Sequence, residues 1–259
     1  MGFRRLFGRG NPDEAIEVDT QIHGPVYPGG TVKGEVLLRG GSRDTPVRGV
    51  RLQMSARYVD YRGEERDYEF DSTFASPSGN ALRRGEELRL AFSERLPWET
   101  PVSELGGRAL GVVLSVKSTY FRDWDDDGTD VDNDLLHVSA LPLHEVVMDA
   151  FAEQGYFCDQ SHVMDSYIPD VEMHRGYYQT FVLACRAPET DRPELLEVVF
   201  LTNQVGAMAH VRRADLNKRD WREKPPVRRF PVAHHEVGHA DLGVRVRKAL
   251  DEIALMESM

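Results

Sequence analysis

Two short stretches of the chain carry residue types whose spacing could support metal chemistry. The first is His235-Glu236-Val237-Gly238-His239, which satisfies the H-E-x-x-H spacing. On a helix this spacing places two imidazoles on one face, where they can hold zinc, while the glutamate activates the metal-bound water. The motif therefore raises the hypothesis of a zinc-dependent hydrolase that uses His235, Glu236 and His239.

The residues around this motif do not favour a helix. Phe230-Pro231-Val232 leads into it with an alternating pattern, and Gly238 lowers helix propensity by about 1 kcal/mol. On a strand, side chains four positions apart lie roughly 13 Å apart at about 3.3 Å per residue, which is too far to share one zinc ion. We therefore expect a His-rich strand end and turn, and we keep the zinc hydrolase as an alternative.

The second stretch is an acidic run from Asp123 to Asp134. Aligned with the EF-hand calcium loop, it has Asp at the first, third and fifth positions and Gly at the sixth. Asp134 stands where the pattern has Glu, and neither flank is typical of a helix. Two interpretations stay open: a solvent-facing loop extended by its like charges, and a weak calcium site. The candidate metal ligands are Asp123, Asp125, Asp127, Asp130, Asp132 and Asp134.

Other catalytic signatures are absent from the sequence. It contains no GxSxG, no P-loop and no GxGxxG after a strand. The remaining histidines are scattered singly, and a lone histidine is more often structural than a ligand. We therefore expect no enzyme activity, and no cofactor apart from the weak calcium just described.

The elements that must position these residues are mainly short strands. The best alternating run is Val50, Leu52, Met54, Ala56 and Tyr58, with polar residues between them. Alternation of this kind is typical of a half-buried antiparallel strand. Similar runs recur up to residue 119, separated by turn formers such as Pro28-Gly29-Gly30. This pattern favours a β-sandwich over a sheet with crossover helices.

The hydrophobic period changes at Leu143, where the spacing predicts a short helix that stops at Gly155. Strands are predicted again at 180–185, 195–201, 208–213 and 229–237, and a C-terminal helix follows with Asp241 as its N-cap. The predicted fold class is all-β: two antiparallel β-sandwich domains, residues 13–141 and 142–259, with a short junction helix and a C-terminal helix.

Charge and composition narrow the partner classes. The 259 residues include 43 acidic and 32 basic ones, a net charge of −11 that repels nucleic acid and anionic membranes. No apolar run approaches the roughly 20 residues of a membrane span. Two cysteines without metal spacing, and no signal peptide, predict a cytoplasmic protein.

A locally basic segment, Arg212 to Arg229, stands out against this acidic background. Its basic residues surround Trp221. Such a segment is usually the solvated face of a hairpin, and the alternative is a docking site for an acidic partner.

Several motifs resemble a known family. They include Val18-Asp19-Thr20-Gln21-Ile22, Tyr27-Pro28-Gly29-Gly30, Val32-Lys33-Gly34-Glu35-Val36, Thr100-Pro101-Val102 and the strand Leu195-Leu196-Glu197-Val198-Val199-Phe200. In these residues the chain is similar to the bacterial sporulation-control protein family, which has an arrestin-like fold. The resemblance implies a regulatory or adaptor protein in bacterial development or stress response that acts through protein-protein contacts. Exposed sheet edges are the first expected docking sites, for a partner or for a homo-oligomer.

Overall fold

The computed structural model describes residues 16–59, 64–77, 79, 81–123, 125, 127–169, 171, 173, 176–186, 193–218, 220–238 and 241–257. These residues form antiparallel sheets and two α-helices. The predicted all-β class with a junction helix and a C-terminal helix is therefore confirmed. Residues 13–15 and 258–259 of the predicted domains, and His239, lie outside the described residues.

The first half holds two facing sheets. One has the strand order β1-β2-β7 and the other β11-β10-β4-β5, with short ladders β3-β6 and β8-β9. The strands are β1 (Glu17–His23), β2 (Thr31–Arg39), β3 (Thr45–Pro46), β4 (Gly49–Val59), β5 (Glu65–Ala75), β6 (Ala81–Leu82), β7 (Glu87–Arg95), β8 (Glu104–Leu105), β9 (Arg108–Ala109), β10 (Leu114–Phe121) and β11 (Thr129–Leu135).

The alternation in β4 builds the core between these sheets. Val50, Leu52, Met54 and Ala56 are completely buried, as the pattern predicts. They meet apolar side chains of the facing sheet, such as Val36 of β2. Burial of each such side chain contributes about 1.5–3 kcal/mol, so this alternation is a main source of the sandwich's stability.

The junction helix and the second half follow without a long connection. Helix α1 (Pro142–Glu153) begins with proline at a position where a helix needs no N–H donor, and Gly155 follows its end with φ of 87°. The next elements are β12 (Tyr156–Met164), β13 (Tyr178–Cys185), β14 (Leu195–Thr202), β15 (Gly206–Arg213), β16 (Arg228–Ala233) and α2 (Leu242–Glu257). Asp241 Oδ1 accepts the Val244 N–H at 3.2 Å, as expected of an N-cap.

The second half is built on one five-stranded sheet in the order β12-β13-β14-β15-β16. Leu196 and Val198 of β14 belong to the main core, in which α1 and α2 also pack. Val199, on the opposite face, joins a second cluster with Ile168 and Trp221. In the described residues, helices and loops thus supply the layers that cover this sheet. Because both faces are covered, β14 reads as an almost continuous apolar run.

Two segments of the second half differ from the sequence predictions. The predicted strand 229–237 ends at Ala233, and a 3-10 turn, His234–Glu236, follows it. The Glu236 carboxylate accepts the Ala233 N–H at 2.8 Å, which closes the turn and ends the strand. Strand β12 was not predicted at all, because its residues Asp159, Gln160 and His162 interrupt the apolar pattern.

The two halves are joined by side chains that bridge them directly. Gln179 accepts the Val102 N–H at 2.7 Å and donates to the Val102 carbonyl at 2.8 Å, as a neighbouring strand would. The rings of Tyr68 and Tyr177 meet edge to face with centroids 4.7 Å apart. The main core continues across this junction. The domain boundary at residue 141 stays a prediction.

We expect Gln179→Ala to weaken the junction. The substitution leaves the Val102 N–H and carbonyl without their partners, which costs about 1–3 kcal/mol. Thermal unfolding would then shift by about 2–4 °C per kcal/mol, and solution scattering would show a wider range of dimensions.

The matched control is Gln21→Ala, because Gln21 is exposed and, within the described part of the chain, donates to the side chain of its near neighbour Asp19 in β1. Its effect should stay within about 0.5 kcal/mol. Equal destabilisation by the two variants would show that the Gln179 contacts do not hold the halves together.

Candidate functional site

The histidine motif does not form the helical frame that zinc chemistry needs. His235 is exposed in the three-residue turn after β16. Glu236 is occupied structurally, because Arg245 of α2 donates to both of its carboxylate oxygens at 2.5 and 3.1 Å. The Arg245 hydrogen bonds lower the pKa of Glu236 to about 2. A glutamate held in this way is unsuited to act as a general base.

The acidic run is a loop only in its first part. Residues Thr129–Leu135 form β11 and pair with β10, so the expectation of one twelve-residue loop is corrected. In β11 the Asp residues alternate with residues such as Val131 and Leu135, and this alternation is compatible with a strand. Because β11 is extended, Asp132 and Asp134 are drawn away from Asp123 and Asp125. Calcium binding by the run stays a prediction.

Each described carboxylate of the run has its own surroundings. Asp123 lies 3.6 Å from the Arg48 guanidinium, and Asp125 is exposed. Asp132 accepts the backbone N–H of Thr20 in β1 at 3.0 Å. The side chain of Asp130 lies outside the described residues. Among the residues that the structure describes, no three His, Cys, Asp or Glu side chains converge as metal ligands would.

The basic segment is only partly the solvated face that the sequence predicts: Arg213 and Arg222 are exposed, whereas two other basic residues are buried. Arg212 and Lys224 are almost completely buried on the outer face of the second-half sheet, with side chains 2% and 6% exposed. Both donate to the carboxylate of Glu197, at 2.7 Å each. Thr180 donates to the same carboxylate at 2.9 Å. Buried cations need a buried anion, and Glu197 supplies it.

The electrostatics of this network keep Glu197 ionised. Burial alone would raise its pKa, but the hydrogen bonds and charges of Arg212 and Lys224 outweigh burial and lower it. The Arg212 guanidinium also lies 3.7 Å from the centre of the Trp221 ring, a cation–π contact. Burial lowers the pKa of the neighbouring His210 to about 4, so this imidazole is neutral at pH 7. The network is a structural clamp that holds the 214–227 segment onto the sheet.

One sequence signal could have revealed the network. Glu197 is the only charged residue in the apolar run Leu195-Leu196-Glu197-Val198-Val199-Phe200. A lone carboxylate on a strand that is buried on both faces requires a buried cation. Which of the basic residues supplies it depends on tertiary pairing: β15 lies beside β14, with Glu197 opposite Arg212.

The cavity between the two halves is too small for a ligand. It has a volume of about 30 Å³, lined by residues that include Trp98, His144 and Thr202. This volume suits roughly one water molecule. His144 contacts the Thr202 hydroxyl at 2.9 Å, and burial, together with His234, lowers the pKa of His144 to about 3. The junction therefore holds the halves together without offering a small-molecule site.

A larger groove lies at the surface where β15 leaves the sheet. Its volume is about 490 Å³, within the range of ligand and side-chain pockets. Leu195, Leu216 and Pro225 supply its apolar wall, and Arg213 lies at its border. Leu216 is 55% exposed, so much of its side chain is accessible at this groove. The groove is formed by the same 214–227 segment that the Glu197 network clamps.

Residues 5–212 match the sequence profile of the family described as SpoOM protein. The chain belongs to the SpoOM family. The sporulation-control protein Spo0M of Bacillus subtilis strain 168 is 27% identical over 227 residues, covering 81% of this chain and 80% of that protein. These findings confirm the family resemblance drawn from the sequence motifs.

A solved structure agrees with the SpoOM assignment. The crystal structure of Spo0M, the sporulation control protein from Bacillus subtilis, gives a TM-score of 0.78 at 23% identity. The match covers 92% of this chain and 99% of that one. At this identity the likeness shows the fold. Within the described part of this SpoOM chain, no helix is long and apolar enough to cross a bilayer.

We expect Glu197→Gln to destabilise the protein by about 3–5 kcal/mol, because it leaves Arg212 and Lys224 buried without a counter-charge. Thermal unfolding measures the loss. Because the folded pKa of Glu197 is lowered, its contribution is present above the ordinary glutamate range and disappears as the pH falls through the folded pKa. The difference between variant and wild type should therefore shrink in acid.

Glu69→Gln is the matched control, since the Arg51–Glu69 pair has the same 2.7 Å separation but is largely exposed. Exposed pairs contribute only about 0–1 kcal/mol. A loss as large as that of Glu197→Gln would mean that burial is not what makes the Glu197 network strong.

We expect calcium to have little effect on unfolding. With 1 mM calcium and a dissociation constant of about 1 mM or weaker, the native state gains at most about 0.4 kcal/mol. Melting curves with calcium and with a chelator measure this gain. A rise of several degrees that disappears when Asp125→Asn and Asp127→Asn are combined would show a strong site in this run.

Proposed function

We propose that this protein is a cytoplasmic, non-enzymatic regulator of sporulation or a related developmental or stress response, and that it acts as an adaptor by binding partner proteins. Family membership and the relative named a sporulation-control protein support the regulatory part. The adaptor part rests on one observation: the side chains that could take part in catalysis are already held by structural contacts. Glu236 is held by Arg245, and Glu197 is held by Arg212 and Lys224.

In the described residues, several sheet edges are covered and leave little space for a partner to add a strand. β1 lies beside β11, and β5 lies beside β7. β12 lies against β4 of the first half. β16 contains Pro231, which has no N–H to donate, and Arg245 donates to its carbonyl at 2.7 Å. We therefore propose that a partner binds a surface groove rather than a sheet edge. The same applies to a second copy of this chain in a homo-oligomer.

The groove at Leu216 fits an acidic partner segment that carries an apolar side chain. Residues 213–229 contain seven basic and three acidic residues, in a chain whose net charge is −11, and Lys224 among them is already paired with Glu197. An acidic segment would be attracted by the remaining basic side chains. Leu195, Leu216 and Pro225 would receive its apolar side chain. This choice favours the docking interpretation of the basic segment.

The test is capture of proteins from native lysate by wild type and by Leu216→Asp, followed by titration of the purified partner. We expect Leu216→Asp to weaken binding at least tenfold, because it places a negative charge in the apolar groove and repels the acidic partner. Binding should also fall as salt is raised, because the attraction is partly electrostatic.

Leu255→Asp is the control, since Leu255 is 66% exposed on α2 and does not line the groove. If both aspartate variants bind normally, or lose binding equally, the groove is not the docking site. Chelator-sensitive hydrolysis of peptide or ester substrates that is lost in Glu236→Gln would overturn the non-enzymatic part and restore the zinc hydrolase.

A further inference from the structure

The acidic run concentrates negative charge in one short segment of the first half. Residues 123–134 contain seven aspartates and no lysine or arginine, in a chain whose net charge is −11. In the loop between β10 and β11, Asp123, Asp125 and Asp127 are exposed. Asp123 lies 3.6 Å from Arg48, and one such pair leaves the loop strongly anionic. A loop of this kind is attracted by an exposed basic surface that it can reach.

An exposed aromatic side chain lies at the base of this acidic loop. Phe121, the last residue of β10, leads into the loop, and its ring centre lies 5.9 Å from that of Phe74 in β5. The loop packs on the Phe121 ring at Gly128, where a Cβ would lie 2.9 Å from the ring. Phe74 is 36% exposed, so part of its ring is accessible beside the loop. The acidic loop therefore offers an apolar side chain next to carboxylates.

The groove at Leu216 presents the complementary chemistry in the second half. Leu195, Leu216 and Pro225 form its apolar wall, and Arg213 lies at its border. Arg213 and Arg222 are exposed in the same segment. An apolar centre with charged groups around it is the usual arrangement of a protein interface. The acidic loop with Phe74 thus has the composition and the charge that this groove fits.

The acidic loop and the groove lie in different halves, each at a strand end that is remote from the junction. β11 runs from the loop towards the junction, where α1 begins at Pro142. In β14, Thr202 lines the junction cavity, whereas Leu195 at the other end lines the groove. Strands of seven and eight residues span roughly 20–25 Å each. One copy of the chain therefore cannot place its own loop in its own groove.

We propose that the acidic loop of one copy docks in the Leu216 groove of a second copy, so that the chains associate head to tail. This inference rests on the proposed function, because it names a second copy as an occupant of the same groove. A heterologous contact of this kind repeats from copy to copy and forms a ring or an open chain. Each filled groove is closed to a partner protein, so self-association regulates partner binding.

The net charge sets the conditions for this association. Two copies that each carry −11 repel one another at a distance. At about 0.15 M salt the Debye length is about 8 Å, so charges that are far apart are screened while contacts within the groove are less affected. Self-association is therefore best measured near this salt concentration.

Sedimentation equilibrium with a chelator present tests the contact, because the chelator removes any bridging by calcium. We expect the mean mass of wild type to rise with concentration. Leu216→Asp disrupts the groove, and Asp125→Lys combined with Asp127→Lys reverses the charge of the loop. Either change alone should weaken association about tenfold or more. An equimolar mixture of the two variants should form pairs and nothing larger, because each pair combines the intact loop of one variant with the intact groove of the other.

Asp149→Lys combined with Asp165→Lys is the matched control, because it makes the same change in net charge at two exposed aspartates outside the loop. It should associate as wild type does. A wild type that stays monomeric up to about 1 mM would overturn head-to-tail docking. So would a mixture of the groove and loop variants that stays monomeric while wild type associates.

These outcomes are distinguishable from a failure of the proposed function. A wild type that stays monomeric, but whose capture of a partner depends on Leu216, would overturn docking between copies alone. Self-association that depends on Leu216, together with partner binding that does not, would overturn the groove as the partner site and support docking between copies.

Discussion

The arrangement of this molecule follows from the need to cover the edges of its sheets. Backbone groups at an open edge invite pairing with other chains, and a protein built mainly from antiparallel strands has several such edges. In the described residues three of these edges are covered in different ways: β1 by the Asp132 side chain, β16 by Pro231 and Arg245, and β12 by the first half. The packing of the second half against β4 therefore also covers a sheet edge, that of β12.

The need to cover sheet edges also explains the positions of several polar side chains. Carboxylates that look available in the sequence are used to end a strand, as Glu236 does, or to close a seam, as Asp132 does. Glu197 serves a third purpose, because its pairing with Arg212 and Lys224 holds a long loop rich in basic residues against an apolar sheet.

The sequence predicts the strands with clean alternation and both helices well, because local periodicity reports one buried face directly. β4 and α1 show this most clearly. β12 escapes prediction because Asp159, Gln160 and His162 interrupt its apolar pattern and its register with β13 shifts between Cys158 and Gln160, which no local pattern encodes. β11 is not predicted because aspartate is unfavourable in strands. Asp132 has a role there because it accepts a backbone N–H of the facing strand β1. The candidate site is similar: the lone Glu197 is visible in the sequence, but its pairing with Arg212 requires the register of β14 and β15.

The positions of the tryptophans give this molecule two built-in optical reporters. Trp98 lies at the junction of the halves, with its ring centre 5.4 Å from that of His234, and Trp221 lies under the Arg212 guanidinium in the second half. Trp124 lies outside the described residues. Indole emission responds to nearby cations and imidazoles, so separation of the halves and release of the basic loop would change the emission of different rings. Single-tryptophan forms of the chain would therefore separate these two motions in one fluorescence experiment.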